Sequence, residues 1–214
     1  MKWIALAVAT GLAFVSNAAS ADDATRRLAQ LFADACLANF GHLDKVEAWA
    51  ADRHLAPILN PKAVAVFAGQ PNMDGTMRSV AGGGIPGSGR AWAVGDGSGH
   101  FVLATRVDPE SCVVWAQKAD PTEVEAAYSR VVEDASKPGT DVKLVEDKNA
   151  DIPDGRVHIR VYRVWSGSAL TGVALAMAAV SRPGGPFQAM LETQRVIALD
   201  DTINPMVPLA PPKN

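Results

Sequence analysis

Apolar residues recur with a helical period in three segments of the chain. Over residues 23–39 they fall at i, i+3, i+4, i+7 and i+8, which predicts a helix with one buried face: Leu28, Leu31, Phe32, Ala35 and Cys36. The spacing of Val46, Trp49 and Ala50 predicts a second helix over 43–53. A third helix is predicted after Asp120-Pro121-Thr122-Glu123, because aspartate is a good N-cap and proline suits the first helical position.

Short apolar or alternating runs predict strands in the rest of the chain. The predicted strands cover residues 64–68, 90–94, 100–107, 112–117, 142–146, 156–165, 173–182 and 188–199. Residues 168–180 are rich in alanine, so a helix there is an open alternative. No internal repeat is visible. The sequence therefore predicts one α+β domain over 22–204, with an antiparallel sheet packed with helices on one face, followed by a proline-rich tail over 205–214.

The first 21 residues have the order of a secretory signal peptide. Lys2 provides the positive charge, residues 3–15 are uncharged and mostly apolar, and Ala19-Ser20-Ala21 is a small-x-small cleavage site. We expect cleavage before Asp22 and a periplasmic or secreted protein. The most apolar later run, 173–180, has eight residues, too few to span a bilayer, so no membrane span is expected after cleavage.

The chain has two cysteines, Cys36 and Cys112. An even number of cysteines in an exported protein predicts a disulfide between them. The alternative is a reactive thiol, which the residues favour less because there is no C-x-x-C motif and no histidine beside either cysteine.

The overall charge of the chain does not point to a polyanionic partner. Twenty Lys and Arg residues against 23 Asp and Glu residues give a net charge of −3. This balance gives no electrostatic reason to expect nucleic acid or an anionic membrane surface.

The glycine-rich loop over 82–89 is the most conspicuous candidate ligand site. Successive backbone N–H groups in such loops can hold an anion. The candidate residues are Arg78, Gly83, Gly84, Arg90 and, nearby in sequence, His100. The loop lacks the G-K-[ST] ending of a P-loop and is followed by a strand, so a plain hairpin connection is the alternative.

Other catalytic and metal-binding patterns are weak. Asp96-Gly97-Ser98-Gly99-His100 has one carboxylate where a calcium loop needs several, and the four histidines form no zinc motif. We therefore expect no metal and no cofactor. Ser168 and His158 could form a hydrolytic pair, although there is no G-x-S-x-G motif.

Two segments carry a resemblance to known proteins. The strand Cys112-Val113-Val114-Trp115 leading into Asp120-Pro121-Thr122-Glu123 resembles small exported proteins of proteobacteria. The resemblance implies a periplasmic setting and brings no activity or catalytic residues. From the residues we expect a non-enzymatic binding or envelope-accessory role, with a protein, peptide or small molecule as partner. A Ser/His hydrolase and a metal or small-ligand carrier are the alternatives.

Overall fold

The computed structural model describes residues 16–68, 89–96, 99–107, 110–152, 155–166, 171–181 and 187–197. The helices are α1 (Ser16–Leu31), continued by a π-helical segment (Phe32–Leu37), then α2 (Leu43–Asp52), α3 (Pro61–Phe67) and α4 (Pro121–Ala135). The strands are β1 (Ala56–Pro57), β2 (Gly89–Asp96), β3 (Gly99–Val107), β4 (Glu110–Ala116), β5 (Thr140–Ile152), β6 (Gly155–Ser166), β7 (Thr171–Val180) and β8 (Ala189–Ile197).

The strands form one antiparallel sheet in the order β1-β2-β3-β4-β8-β7-β6-β5. Two meanders, β1–β4 and β5–β8, meet where the last strand of each pairs with the other, so Val113 lies opposite Glu192 and Val114 opposite Leu191. The predicted α+β class and antiparallel sheet are confirmed. The alanine-rich segment within 168–180 forms the strand β7, because it pairs on both sides, with β6 and β8.

One face of the sheet, here called the helix face, is covered by α1, the π-helical segment, α2 and α4. The apolar positions predicted for the first helix, Leu28, Leu31, Phe32, Ala35 and Cys36, are all buried there. Tyr128 on α4 is also buried, and its hydroxyl donates to the backbone oxygen of Leu175 at 2.5 Å.

The start of α4 also ties this helix to α1. Asp120 caps α4, since its carboxylate accepts from the backbone N–H of Glu123 at 3.0 Å. The backbone N–H of Asp120 donates to the hydroxyl of Thr25 on α1 at 3.2 Å. The predicted helix start is confirmed. In addition, the backbone N–H of the capping residue is hydrogen-bonded to a threonine of another helix.

The opposite face, here called the second face, is packed against α3. The strand predicted over 64–68 is wrong, because residues 64–67 continue the helix that begins at Pro61 and Ala68 is its C-cap. Asn60 caps it, accepting from the N–H of Lys62 at 3.0 Å, and proline at the first helical position favours the helix. The indole N–H of Trp115 donates to the backbone oxygen of Phe67 at 2.9 Å and so holds α3 on the sheet.

The predicted disulfide is confirmed. Cys36 in the π-helical segment is bonded to Cys112 on β4, with Cα atoms 5.4 Å apart. Both cysteines are buried, so the bond attaches the first helices to the middle of the sheet from inside the core.

The predictions for the two ends of the chain, a signal peptide and a proline-rich tail, stay predictions. The tail over 205–214 and most of the signal segment lie outside the described residues. Helix α1 begins at Ser16 and passes through the predicted cleavage site. Within the part of the chain that the structure describes, none of the helices is long and apolar enough to cross a membrane.

Candidate functional site

The residues of the predicted loop site that the structure describes lie on opposite faces of the sheet. Arg78, Gly83 and Gly84 lie outside the described residues. Arg90 is on β2, on the helix face, where its guanidinium donates to the carboxylate of Glu47 on α2 at 2.7 Å. His100 is exposed near the start of β3, on the other side of the sheet and five cross-strand pairs away from Arg90. Arg90 and His100 are therefore not brought together, and the loop site stays a prediction.

The second face is built from rows of side chains that run across the strands. The middle row is small and apolar except for Glu192 at its centre and Glu146 at its end; it consists of Ala91, Ala104, Val113, Glu192, Ala176, Val161 and Glu146. The row beside it is polar, and consists of Gly89, Arg106, Ser111, Gln194, Ala174, Arg163 and Lys143. The face thus combines alanine side chains with charged groups.

Arg106, Ser111 and Glu192 form the central polar group of this face. Arg106 and Ser111 are directly opposite each other on β3 and β4, and Glu192 lies on the neighbouring strand β8. A guanidinium nitrogen of Arg106 is 3.7 Å from the Glu192 carboxylate, and the Arg106 and Glu192 side chains are only 9% and 5% exposed. Arg106 also donates to the backbone oxygen of Ala68, directly after α3, at 3.1 Å.

Burial controls the protonation of Glu192. Loss of hydration raises the pKa of this carboxyl to about 7, although the charge of Arg106 and a hydrogen bond with Ser111 act in the opposite direction. Glu192 can therefore gain or lose a proton near neutral pH. A buried ionisable group with a shifted pKa is a candidate for a functional site.

A second group of charged side chains, the histidine cluster, lies on the helix face. One ring nitrogen of His158, Nδ1, is 2.7 Å from the Glu125 carboxylate on α4, and the other, Nε2, is 2.7 Å from the Asp147 carboxylate on β5. Arg160 also donates to Asp147, at 3.0 Å. The cluster therefore joins α4 to β6 and to the edge strand β5.

The surroundings of His158 favour its charged form. Burial by itself would lower the pKa of His158, but the hydrogen bonds to Asp147 and Glu125 raise it. The same contact with His158 lowers the pKa of Asp147, and Arg160 adds to this effect. An imidazolium that donates to two carboxylates has no lone pair with which to accept a proton from a serine. Ser168, its proposed hydrolytic partner, lies outside the described residues.

The histidine cluster is not arranged as a metal site. Its two carboxylates lie on opposite ring nitrogens, so the three groups do not point at one place. In the described segments of the chain, no group of three or more His, Cys, Asp or Glu residues is placed to hold a metal ion.

Sequence reasoning did not single out Arg106, Ser111 or Glu192. The available signal was a charged or polar residue within an apolar strand, as in Ala189-Met190-Leu191-Glu192, where alternation puts Glu192 on the same side as Met190. The sequence did not indicate that the side of the strand with Met190 and Glu192 is buried.

Comparison with known proteins adds no assignment. No protein-family model matches the chain, and no curated protein is significantly similar to it. A function for this chain therefore has to be inferred from the geometry of the molecule.

Proposed function

We propose that this protein is an exported, non-enzymatic binding protein that holds a small, partly apolar ligand with an acidic group on the second face of its sheet. The observation that carries the proposal is the central polar group, buried in an otherwise small and apolar part of that face. Apolar side chains of similar size often stabilise a core as well as a buried ion pair does. Perturbed, buried ionisable groups are found preferentially at functional sites.

The composition of the face suggests the chemical class of the ligand. Arg106, Arg163 and Lys143 share one cross-strand row and provide positive charge for an acidic group. Ala174, a member of this row, and Ala176, in the row beside it, carry only a methyl group above the sheet and make this part of the face apolar. A change in the protonation of Glu192 would offset the negative charge that the ligand brings.

The disulfide supports the exported setting, because such bonds persist in oxidising compartments. Mass spectrometry of the protein from a periplasmic fraction is expected to give an N-terminus at or near Asp22. Retention of Met1 in that fraction would contradict the signal-peptide prediction.

The binding site is tested with decanoate, an apolar chain that ends in a carboxylate, by isothermal titration calorimetry. The variant Arg106→Met/Glu192→Leu replaces the buried pair with apolar side chains, so we expect it to fold and to lose at least about tenfold in affinity. The matched control, Arg90→Met/Glu47→Leu, removes the ion pair of the helix face and is expected to bind like the wild type. Absence of decanoate binding to the wild type, or equal affinity in both variants, would overturn the proposed site.

A further inference from the structure

The edge strand β5 has the features of an interface with a second copy of this chain. It is 13 residues long and pairs with β6 on one side. In the part of the chain that the structure describes, no strand pairs with its other side. Such an edge presents backbone N–H and C=O groups that another strand can bind.

The centre of this edge is apolar and irregular. The pairing of β5 with β6 shifts by one residue between Leu144 and Glu146, which leaves Val145 as the extra residue of a β-bulge. Leu144 is 46% exposed and Val145 40% exposed, and both are among the few large apolar side chains that the described surface exposes to this extent. If two copies of β5 met here in antiparallel orientation, Leu144 of each would lie opposite Val145 of the other.

The charges on both sides of this centre are self-complementary in that alignment. Asp141, Lys143, Glu146 and Lys148 all lie on the second face, because the bulge shifts the alternation of side chains by one residue. With Leu144 opposite Val145, Lys143 of one copy lies opposite Glu146 of the other, and Asp141 lies opposite Lys148. A two-fold axis repeats both contacts, so the dimer has four pairs of opposite charges.

The charges also select this alignment over its neighbours. A shift of two residues in one direction places Lys143 opposite Lys148, and a shift in the other direction places Asp141 opposite Glu146. Both shifts bring like charges together, which destabilises a strand pair.

The carboxylate of Glu146 gives a further reason to expect a contact with a second copy. Its side chain is only 10% exposed, and one carboxylate oxygen accepts from Lys148 at 2.8 Å. The other oxygen, Oε2, is buried without a hydrogen-bond partner among the described residues. In the proposed alignment Lys143 of the second copy lies opposite Glu146, so it brings a positive charge close to a carboxylate with one unpartnered oxygen.

We propose that the protein forms a two-fold dimer by antiparallel pairing of β5 with β5 of a second copy, centred on Leu144 and Val145. Charges and bulges on edge strands also serve to prevent such pairing, in which case the protein would be a monomer. Lys143 belongs both to this contact and to the polar row of the second face, but the dimer needs no ligand and is measured without one.

Sedimentation velocity over a wide range of concentrations tests the dimer. We expect the wild type to be a dimer that dissociates on dilution. Lys143→Glu turns two attractive contacts per dimer into repulsive ones, and is expected to raise the dissociation constant by about tenfold or more. The matched control is Lys118→Glu, which makes the same change of charge at an exposed position before α4 and is expected to dimerise like the wild type.

A second variant separates the proposed contact from an effect of net charge. In Lys143→Glu/Glu146→Gln the contact between like charges disappears, so we expect the dissociation constant to return toward that of the wild type. Circular dichroism and thermal melting verify that all variants fold. A wild type that is monomeric at every concentration, or a Lys143→Glu variant that dimerises like Lys118→Glu, would overturn the proposal.

Discussion

Removal of the Cys36–Cys112 bond is expected to destabilise the protein mainly through its unfolded state. The bond closes a loop with a sequence separation of 76 residues, for which the chain-entropy model gives about 4.5 kcal/mol at 25 °C. This is an upper figure, since strain in the folded protein and residual structure in the unfolded chain reduce it. A fully reduced chain should still fold, because the buried residues around both cysteines form a large apolar cluster without the bond.

Two forms of the protein separate the cross-link from packing. In the reduced wild type, prepared by reducing the unfolded chain, the sulfur atoms remain and only the cross-link is lost. Cys36→Ala/Cys112→Ala also removes two buried sulfur atoms, which adds about 1–2 kcal/mol in the manner of other deletions in a core. We therefore expect the free energy of unfolding to fall by about 3–4.5 kcal/mol in the reduced wild type and by more in the double variant.

Urea denaturation of all three forms, followed by circular dichroism under reducing or oxidising conditions as required, gives both differences. The urea dependence of the free energy should become steeper without the bond, because the unfolded chain then exposes more surface. A reduced wild type within about 1 kcal/mol of the oxidised protein would refute the loop-closure argument. A double variant no less stable than the reduced wild type would refute the packing argument.

Three further substitutions test other parts of the structure. Asp120→Ala removes the cap of α4 and should cost about 1 kcal/mol in urea denaturation. His158→Gln should lower the melting temperature by about 2–4 °C in mildly acidic buffer and by less in mildly alkaline buffer, with exposed His100→Gln unchanged. The direction of this pH dependence follows from the raised pKa of His158. Its stabilising contribution is full below about pH 6.5 and is lost as the pH rises through the folded-state pKa. A drop in melting temperature that grows with pH would contradict this reasoning. Gly172→Ala should destabilise the protein by about 1–3 kcal/mol, because its Cβ would lie 2.3 Å from the Trp165 ring; Gly172→Ala/Trp165→Leu should recover part of the loss, and no recovery would exclude this clash as the cause.

Local signals in the sequence were sufficient to predict several elements of the structure. Helix α4 begins at the predicted proline because Asp120 and Pro121 act on the backbone next to them. The predicted buried face of the first helix is confirmed, since the period of the apolar residues fixes which side chains share a side. The disulfide could also be predicted, because two cysteines in a chain with a predicted export signal leave one possible pair.

The segment 64–68 shows why a short apolar run is ambiguous. Five such residues fit a strand or one turn of a helix equally well, and the signal that decides lies before them, at Asn60 and Pro61. The bulge in β5 was not predicted either, since it is a property of the pairing between two strands.

The sequence alone determined those features that depend on neighbours in the chain: the starts of helices, the faces of amphipathic segments and the single possible disulfide. Only the tertiary structure decided that β4 pairs with β8, which places Arg106, Ser111 and Glu192 together and buries them. It also decided that Glu125 and Asp147 meet on the two sides of His158. Glu192 is far along the chain from Arg106 and Ser111, and Glu125 is far from His158. Their contacts are fixed by the pairing of whole strands and the packing of helices on the sheet, which no local pattern of residues encodes.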